Sequence, residues 1–231
     1  MFERLRRVIG GLGTPKEEVP DSELGFQLSD WAHTQGLAIN KLKEGKGFSM
    51  LGDVRGKSWR LELGRPSRAY IKGDELRARA ELGISDDVSI LILNRPLKNK
   101  LESQAYQLYT DNLQTSVDSN LPEELRWLSM YPEVGWDGLD AEFWNRYSVL
   151  AEHRSQAQAW LNLDLCRKLM DWPAPGLDPE VPFTLMLLRG KAYVRMEYAP
   201  ASLPVLEHVV SLFTLACDRA LSAPFASSGS A

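Results

Sequence analysis

Between residues 57 and 82 the apolar residues recur at every second position, and that rhythm restricts what the chain can fold into. Trp59, Leu61 and Leu63 alternate with Ser58, Arg60 and Glu62, and Leu76, Ala78, Ala80 and Leu82 alternate with Arg77, Arg79 and Glu81. Successive side chains of a strand point to opposite faces, so this period predicts strands with one face packed and one face wet. Residues 75–82 have the Glu, Leu, Arg and Ala content of a helix, but period outranks propensity, which is overridden by packing. Turn signals fall between the runs at Arg55-Gly56, Gly64-Arg65-Pro66-Ser67 and Lys72-Gly73-Asp74. The region from about 37 to 94 is therefore expected to form an antiparallel β-meander. Residues 88–93 (VSILIL) alternate less and are expected to be a more central strand.

Helical spacing governs the rest. Asp21 or Ser22 opens a helix to about residue 35, with Leu24, Leu28 and Trp31 on its inner face. Asn94 is placed to cap a helix over about 95–115, with Leu97, Leu101, Ala105, Leu108 and Tyr109 inward. Pro122-Glu123-Glu124 suits a first helical turn. Leu139, Phe143, Tyr147 and Leu150 mark the next helix, which His153 ends, and Ala157, Trp160, Leu161, Leu165 and Leu169 mark a third. Prolines 173, 175 and 179 break structure before a C-terminal hairpin over 183–198, turning at Arg189-Gly190-Lys191 and expected either to extend the sheet or to cap it. Ser202 caps a last helix to about 221, apolar on most faces and so long and buried. The fold class is α+β: an antiparallel sheet packed with several helices. Residues 1–20 read as a short basic amphipathic segment and linker, 21–222 as a single α+β domain and 223–231 as a flexible tail.

The net charge of −4 gives no global reason to expect a polyanion, and nucleic acid finds no strong signal. Cys166 and Cys217 lie far apart among apolar residues, which suits reduced, buried thiols rather than a disulfide framework. No segment has the ~20 apolar residues of a membrane span, and residues 1–12 lack an apolar signal core, so a cytoplasmic location is expected. Residues 1–13 set Phe2, Leu5, Ile9 and Leu12 on one face beside Arg4, Arg6 and Arg7, a pattern compatible with a membrane surface.

Catalytic templates fail in turn. Gly52 to Ser58 looks like a phosphate-binding loop, but three residues rather than four separate its glycines and a strand follows instead of a helix. Gly45 and Gly47 are followed by Met50 where a dinucleotide fingerprint needs glycine. His33, His153 and His208 have no partner at metal-ligand spacing, and no nucleophile elbow is present. Asp137, Asp140 and Glu142 resemble first-turn acids rather than an acid–base pair. No catalytic residue, metal ligand or cofactor is assigned, and the balance is against an enzyme.

Two constellations remain. Residues 55–79 hold eight Lys or Arg against three acids, about +5 locally. Arg60, Arg77 and Arg79 fall on the polar face of the expected sheet, either as a binding surface or as a solvated face paired with Glu62 and Glu81. Five tryptophans, Trp127, Trp136, Trp144, Trp160 and Trp172, fall within 46 residues; Trp136, in Gly135-Trp136-Asp137-Gly138, is the one outside an apolar stripe. The expectation is a non-catalytic interaction or adaptor protein that binds a protein or peptide through the basic sheet face (Arg60, Arg77, Arg79), through the Trp-rich helical region with Trp136, or through both. The alternatives are a small-molecule enzyme or ligand binder whose site is assembled from separate segments, and a peripheral membrane factor using residues 1–13.

Overall fold

The computed structural model describes residues 21–41, 47–112, 123–199 and 201–225. The strands are β1 (Ala38–Lys41), β2 (Phe48–Val54), β3 (Lys57–Gly64), β4 (Glu75–Glu81), β5 (Ser89–Asn94), β6 (Tyr147–Ala151), β7 (Phe183–Leu188) and β8 (Lys191–Glu197). They form one sheet in the order β1-β2-β3-β4-β8-β7-β5-β6, antiparallel at every pairing. The helices are α1 (Asp21–Thr34), α2 (Arg95–Asn112), α3 (Glu123–Met130), α4 (Ala141–Arg146), α5 (Arg154–Trp160), α6 (Leu163–Met170) and α7 (Leu203–Ser222). The chain is therefore α+β with an antiparallel sheet and a long C-terminal helix.

The period-two rhythm sorts the side chains as strand geometry requires. Trp59, Leu61, Leu76, Ala78, Ala80, Val194 and Met196 face a large core closed by α1, α5, α6 and α7. A smaller core on the other face gathers Leu91, Leu93, Leu150, Met186 and Leu188 under Leu97 and Leu101 of α2 and Leu125 and Trp127 of α3. Ser202 caps α7, its hydroxyl accepting from Val205 N at 3.4 Å. Both tight hairpins turn on left-handed residues, Arg55 and Gly56 (φ 50° and 76°) and Arg189 and Gly190 (φ 48° and 72°). That pair of conformations matches the twist of two-residue turns.

The topology departs from a simple meander. Strands β1 to β4 are consecutive neighbours, but the C-terminal hairpin β7–β8 inserts between β4 and β5 instead of extending or capping the sheet. Strand β5, between β7 and β6, is buried at all six positions, as its weak alternation implied.

Four helical expectations are corrected. Over 139–151 the helix is only α4; Tyr147–Ala151 is the edge strand β6, its five residues all buried. A strand covered on both faces loses its alternation, and Phe143, Tyr147 and Leu150 then mimic helical spacing. The helix expected through 157–169 is two, because Asn162 starts α6 by accepting from Leu165 N at 3.0 Å. His153 does not end a helix but stands at the N-cap of α5, without a side-chain capping bond. Asn94 caps with neither atom: its amide donates to the carbonyls of Pro179 (2.6 Å) and Val181 (3.0 Å) and its oxygen accepts from Phe183 N (3.0 Å). The segment 1–20, the side chains of Leu24, Leu108 and Tyr109, and the tail beyond 225 lie outside the described residues.

Gly52 pairs with Trp59 across β2–β3, and the Trp59 ring meets Phe213 of α7 edge-on at 6.3 Å. A Cβ at position 52 would overlap the Trp59 ring and lie 2.8 Å from Leu37 Cδ2. Gly52→Ala is expected to destabilise the fold by about 1–3 kcal/mol through overpacking, measured by urea denaturation.

Candidate functional site

Helices α2 and α3 lie on the sheet's second face mainly over β5, β6 and β7, and α3 reaches β8 through Glu124 and Arg195; the described residues of this second core include none from β2, β3 or β4. A groove of about 550 Å³ runs there, lined by Leu51 of β2, Arg60 and Glu62 of β3, Arg77, Arg79 and Glu81 of β4, Tyr193 and Arg195 of β8 and Met186 of β7. Arg60, Arg77 and Arg79 thus share one face, and Trp59 packs into the core behind them. Leu51 is among the exposed large apolar residues.

Ion pairs hold these arginines in their resting positions. Arg77 reaches Glu62 across the strand pair (Nη2 to Oε2, 3.0 Å), Arg60 pairs with the same Glu62, and Arg79 pairs with Glu81. The hydrogen bond between Arg79 and Glu81 raises the one group's pKa and lowers the other's. Lys191 adds a second partner for Glu81 at 3.4 Å. The Arg79 guanidinium also lies 5.9 Å from the Tyr193 ring centroid, within cation–π range. Exposed pairs of this kind contribute about 0–1 kcal/mol each, so they orient the arginines without locking them.

At its inner end the groove meets buried charge. Glu75 is fully buried at the start of β4, and Glu124 of α3 is 2% exposed. Arg195 stands between them, Nη1 2.7 Å from Glu124 Oε1 and Nε 2.6 Å from Glu75 Oε1. Its Nε–H is not aimed for a hydrogen bond there, so the second contact is electrostatic. The β3–β4 loop folds back to complete the cluster. Ser67 donates from N (2.5 Å) and Oγ (3.1 Å) to Glu75, while Arg68 Nε (2.6 Å) and the Tyr70 hydroxyl (3.1 Å) donate to Glu124 Oε1. Burial, with the Glu124 charge next, pushes the Tyr70 phenol up and keeps it a donor. Glu124 Oε2 is buried and has no hydrogen-bond partner among the described residues.

This network escaped sequence reasoning. Glu124 looked like a first-turn acid, Arg195 sat in a hairpin with no charge pattern, and Glu75 lay on the wet side of its strand. The available signal was Glu75 beside Leu76, Arg77 and a turn-rich loop able to cover it.

Trp136 is elsewhere. It is half-buried, its ring edge-on to Trp144 at 5.1 Å, in an open notch of about 570 Å³ lined also by Arg95, Glu133, Asp137 and Arg154. The notch lies towards the β6 edge, with β8, β7 and β5 between it and the arginines of β4. Trp127, Trp160 and Trp172 are core residues.

The other reactive groups are enclosed. Burial pushes the Cys166 and Cys217 thiols up to about 12. His208 lies on Trp172 (4.5 Å between centroids), with Nε2 2.9 Å from the Lys168 carbonyl. A carbonyl only accepts, so Nε2 carries a proton and donates to it. Burial, reinforced by Lys168, lowers its pKa to about 4. Asp137, Asp140 and Glu142 are exposed. Among the described residues no three His, Cys, Asp or Glu side chains converge on a metal position, and no helix is long and apolar enough to cross a membrane.

Comparison of the chain with known protein families, with curated proteins and with solved structures finds no match.

Two outcomes are expected. Glu124→Ala and Arg195→Ala should each lose about 3–5 kcal/mol by stranding a buried charge. The double variant should lose less than the sum, as a double-mutant cycle in urea would measure. The second outcome concerns pH. A histidine in the unfolded chain titrates near 6.5 and His208 near 4, so between these values the unfolded state binds more protons. Stability is then full above the unfolded value and falls as pH drops, by up to ~3 kcal/mol. Comparing the pH dependence of urea unfolding for the wild type and His208→Gln should show the variant lacking this component.

Proposed function

We propose that the chain is a non-catalytic recognition protein that takes an acidic peptide segment of a partner protein into the arginine-lined groove. The observation that carries this reading is the uncovered half of the sheet face, where four arginines border a floor of Leu51, Met186 and Tyr193. An uncovered sheet face with apolar contacts and a rim of guanidinium forks fits an extended chain bearing carboxylates. The resting ion pairs support it as well. Glu62 and Glu81 keep the arginines soluble and oriented when the groove is empty, and exposed pairs exchange readily for a ligand's charge. The protein's own segment 1–13, with Arg4, Arg6 and Arg7, has the wrong sign for this groove. Two free, buried cysteines suit a reducing compartment, and the reading places the protein in the cytoplasm.

A second reading has a specific observation behind it. The notch beside Trp136 and Trp144 holds two arginines, Arg95 and Arg154, and suits a small anionic ligand with a flat apolar part.

The test is fluorescence anisotropy with labelled peptides of Asp, Glu and Leu. Arg60→Glu, Arg77→Glu and Arg79→Glu should each weaken binding about tenfold, or about 1.4 kcal/mol. Added salt should weaken it further, since exposed charges are screened. Trp136→Ala should leave peptide binding unchanged. Affinity indifferent to all three reversals would remove the groove from consideration.

A further inference from the structure

We infer that Arg60 and Arg79 form an anchor for a dianion, so that the groove recognises a phosphorylated side chain within its peptide. This rests on the peptide reading and narrows it.

The two arginines are direct partners across β3–β4, and Arg77 faces Arg195 in the same way across β4–β8. Like charges directly opposite on one sheet face destabilise it. The second pair is compensated from below: Arg195 rests on buried Glu75 and Glu124, and Arg77 reaches Glu62 and, at 3.8 Å, Glu75. The first pair shares no acid. Arg60 turns to Glu62 and Arg79 to Glu81, each two residues further along its own strand. Because the strands are antiparallel, these pairs draw the guanidiniums in opposite directions and leave the space over the Arg60–Arg79 pair without an anion among the described residues.

The chemistry that fits that space is specific. A carboxylate has two oxygens and saturates one guanidinium fork. A phosphoryl group carries a charge of about −1.5 to −2 and three acceptor oxygens, enough for two forks at once. Both side chains are slightly over half exposed (55% and 54%), so they can swing inward by giving up weak surface pairs. Tyr193 lies below Arg79 and keeps its guanidinium over the sheet through the swing.

The same surroundings favour a peptide over nucleic acid. Glu62 and Glu81 flank the gap, so it suits one dianion between them and not an unbroken row of phosphates. Tyr193, the groove's aromatic side chain, already underlies Arg79, whereas single strands are bound by stacking bases on free aromatics. A peptide with one phosphate and apolar neighbours meets the arginine pair together with Leu51 and Met186.

The test uses the full chain and three peptides of Asp, Glu and Leu that differ at one central position: phosphoserine, Glu or Ser. The phosphoserine form should bind at least about tenfold tighter than the Glu form. Arg60→Lys and Arg79→Lys, which keep the charge and lose the fork, should each erase that preference. Arg77→Lys should weaken the phosphoserine and Glu forms equally. In parallel, phenyl phosphate should shift the Arg60 and Arg79 Nε–H resonances in ¹⁵N spectra, and benzoate should not. Equal affinity for phosphoserine and Glu peptides, or a preference that survives both lysine variants, overturns the anchor while leaving the groove a peptide site. If phenyl phosphate shifts those resonances but no peptide binds, the peptide reading fails and the anchor stands. Silence in both arms overturns both.

Discussion

The ladder between β4 and β8 joins two parts of the chain more than a hundred residues apart, and the rest of the architecture depends on it. Its register runs from Glu75 opposite Glu197 to Glu81 opposite Lys191. Through it the N-terminal strands continue into β8, β7, β5 and β6 as one sheet. It also brings Ala78 beside Val194 and Leu76 beside Met196, so a single apolar face can receive α7. On the opposite face the same register sets Arg77 beside Arg195. Those two like charges are offset by Glu75 and Glu124 against Arg195 and by Glu62 against Arg77. Pairings so remote in sequence carry a large loop-closure cost, which the hydrophobic contacts of two cores offset.

Uneven covering of the sheet produces the candidate site. Over β5 and β7 the second face is apolar and α2 and α3 lie on it. Over β3 and β4 it is charged, and the second core under α2 and α3 extends only to Arg195 and Tyr193 of β8 among the described residues. The boundary between the halves is the Glu75–Arg195–Glu124 cluster, which satisfies charges that a helix edge would otherwise bury unpaired. A buried, charge-paired cluster and partly exposed arginines therefore sit side by side. The arginine-lined surface belongs to the wet half of an amphipathic sheet, and the groove exists because covering helices end at the charged cluster.

Legibility varied with the physical origin of each element. Strands with one wet face, β3 and β4, were plain from alternation, and with them the sidedness of Arg60, Arg77 and Arg79. The hairpin turns were plain too, since Arg55-Gly56 and Arg189-Gly190 supply left-handed positions. Strand β6 was hidden because both of its faces are covered, which leaves a short apolar run no periodicity to show. The break between α5 and α6 was hidden because Asn162 lies inside an otherwise continuous apolar spacing. Trp136 stood apart from the apolar stripes in the sequence, yet its ring packs half-buried against Trp144 and the main core, and only the sheet order shows that it is remote from the arginines.

By itself the sequence determined the α+β class, the two faces of the central strands, the capped C-terminal helix and the buried state of both cysteines. These follow from local rules: side-chain period, turn conformation and apolar content. Only the tertiary structure decided the insertion of β7–β8 between β4 and β5, the burial of Glu75 and Glu124 around Arg195, and the half of the sheet left open. Each of these depends on which distant strands pair and in what register. That choice is made by the summed burial of both faces, and no single stretch of sequence contains it.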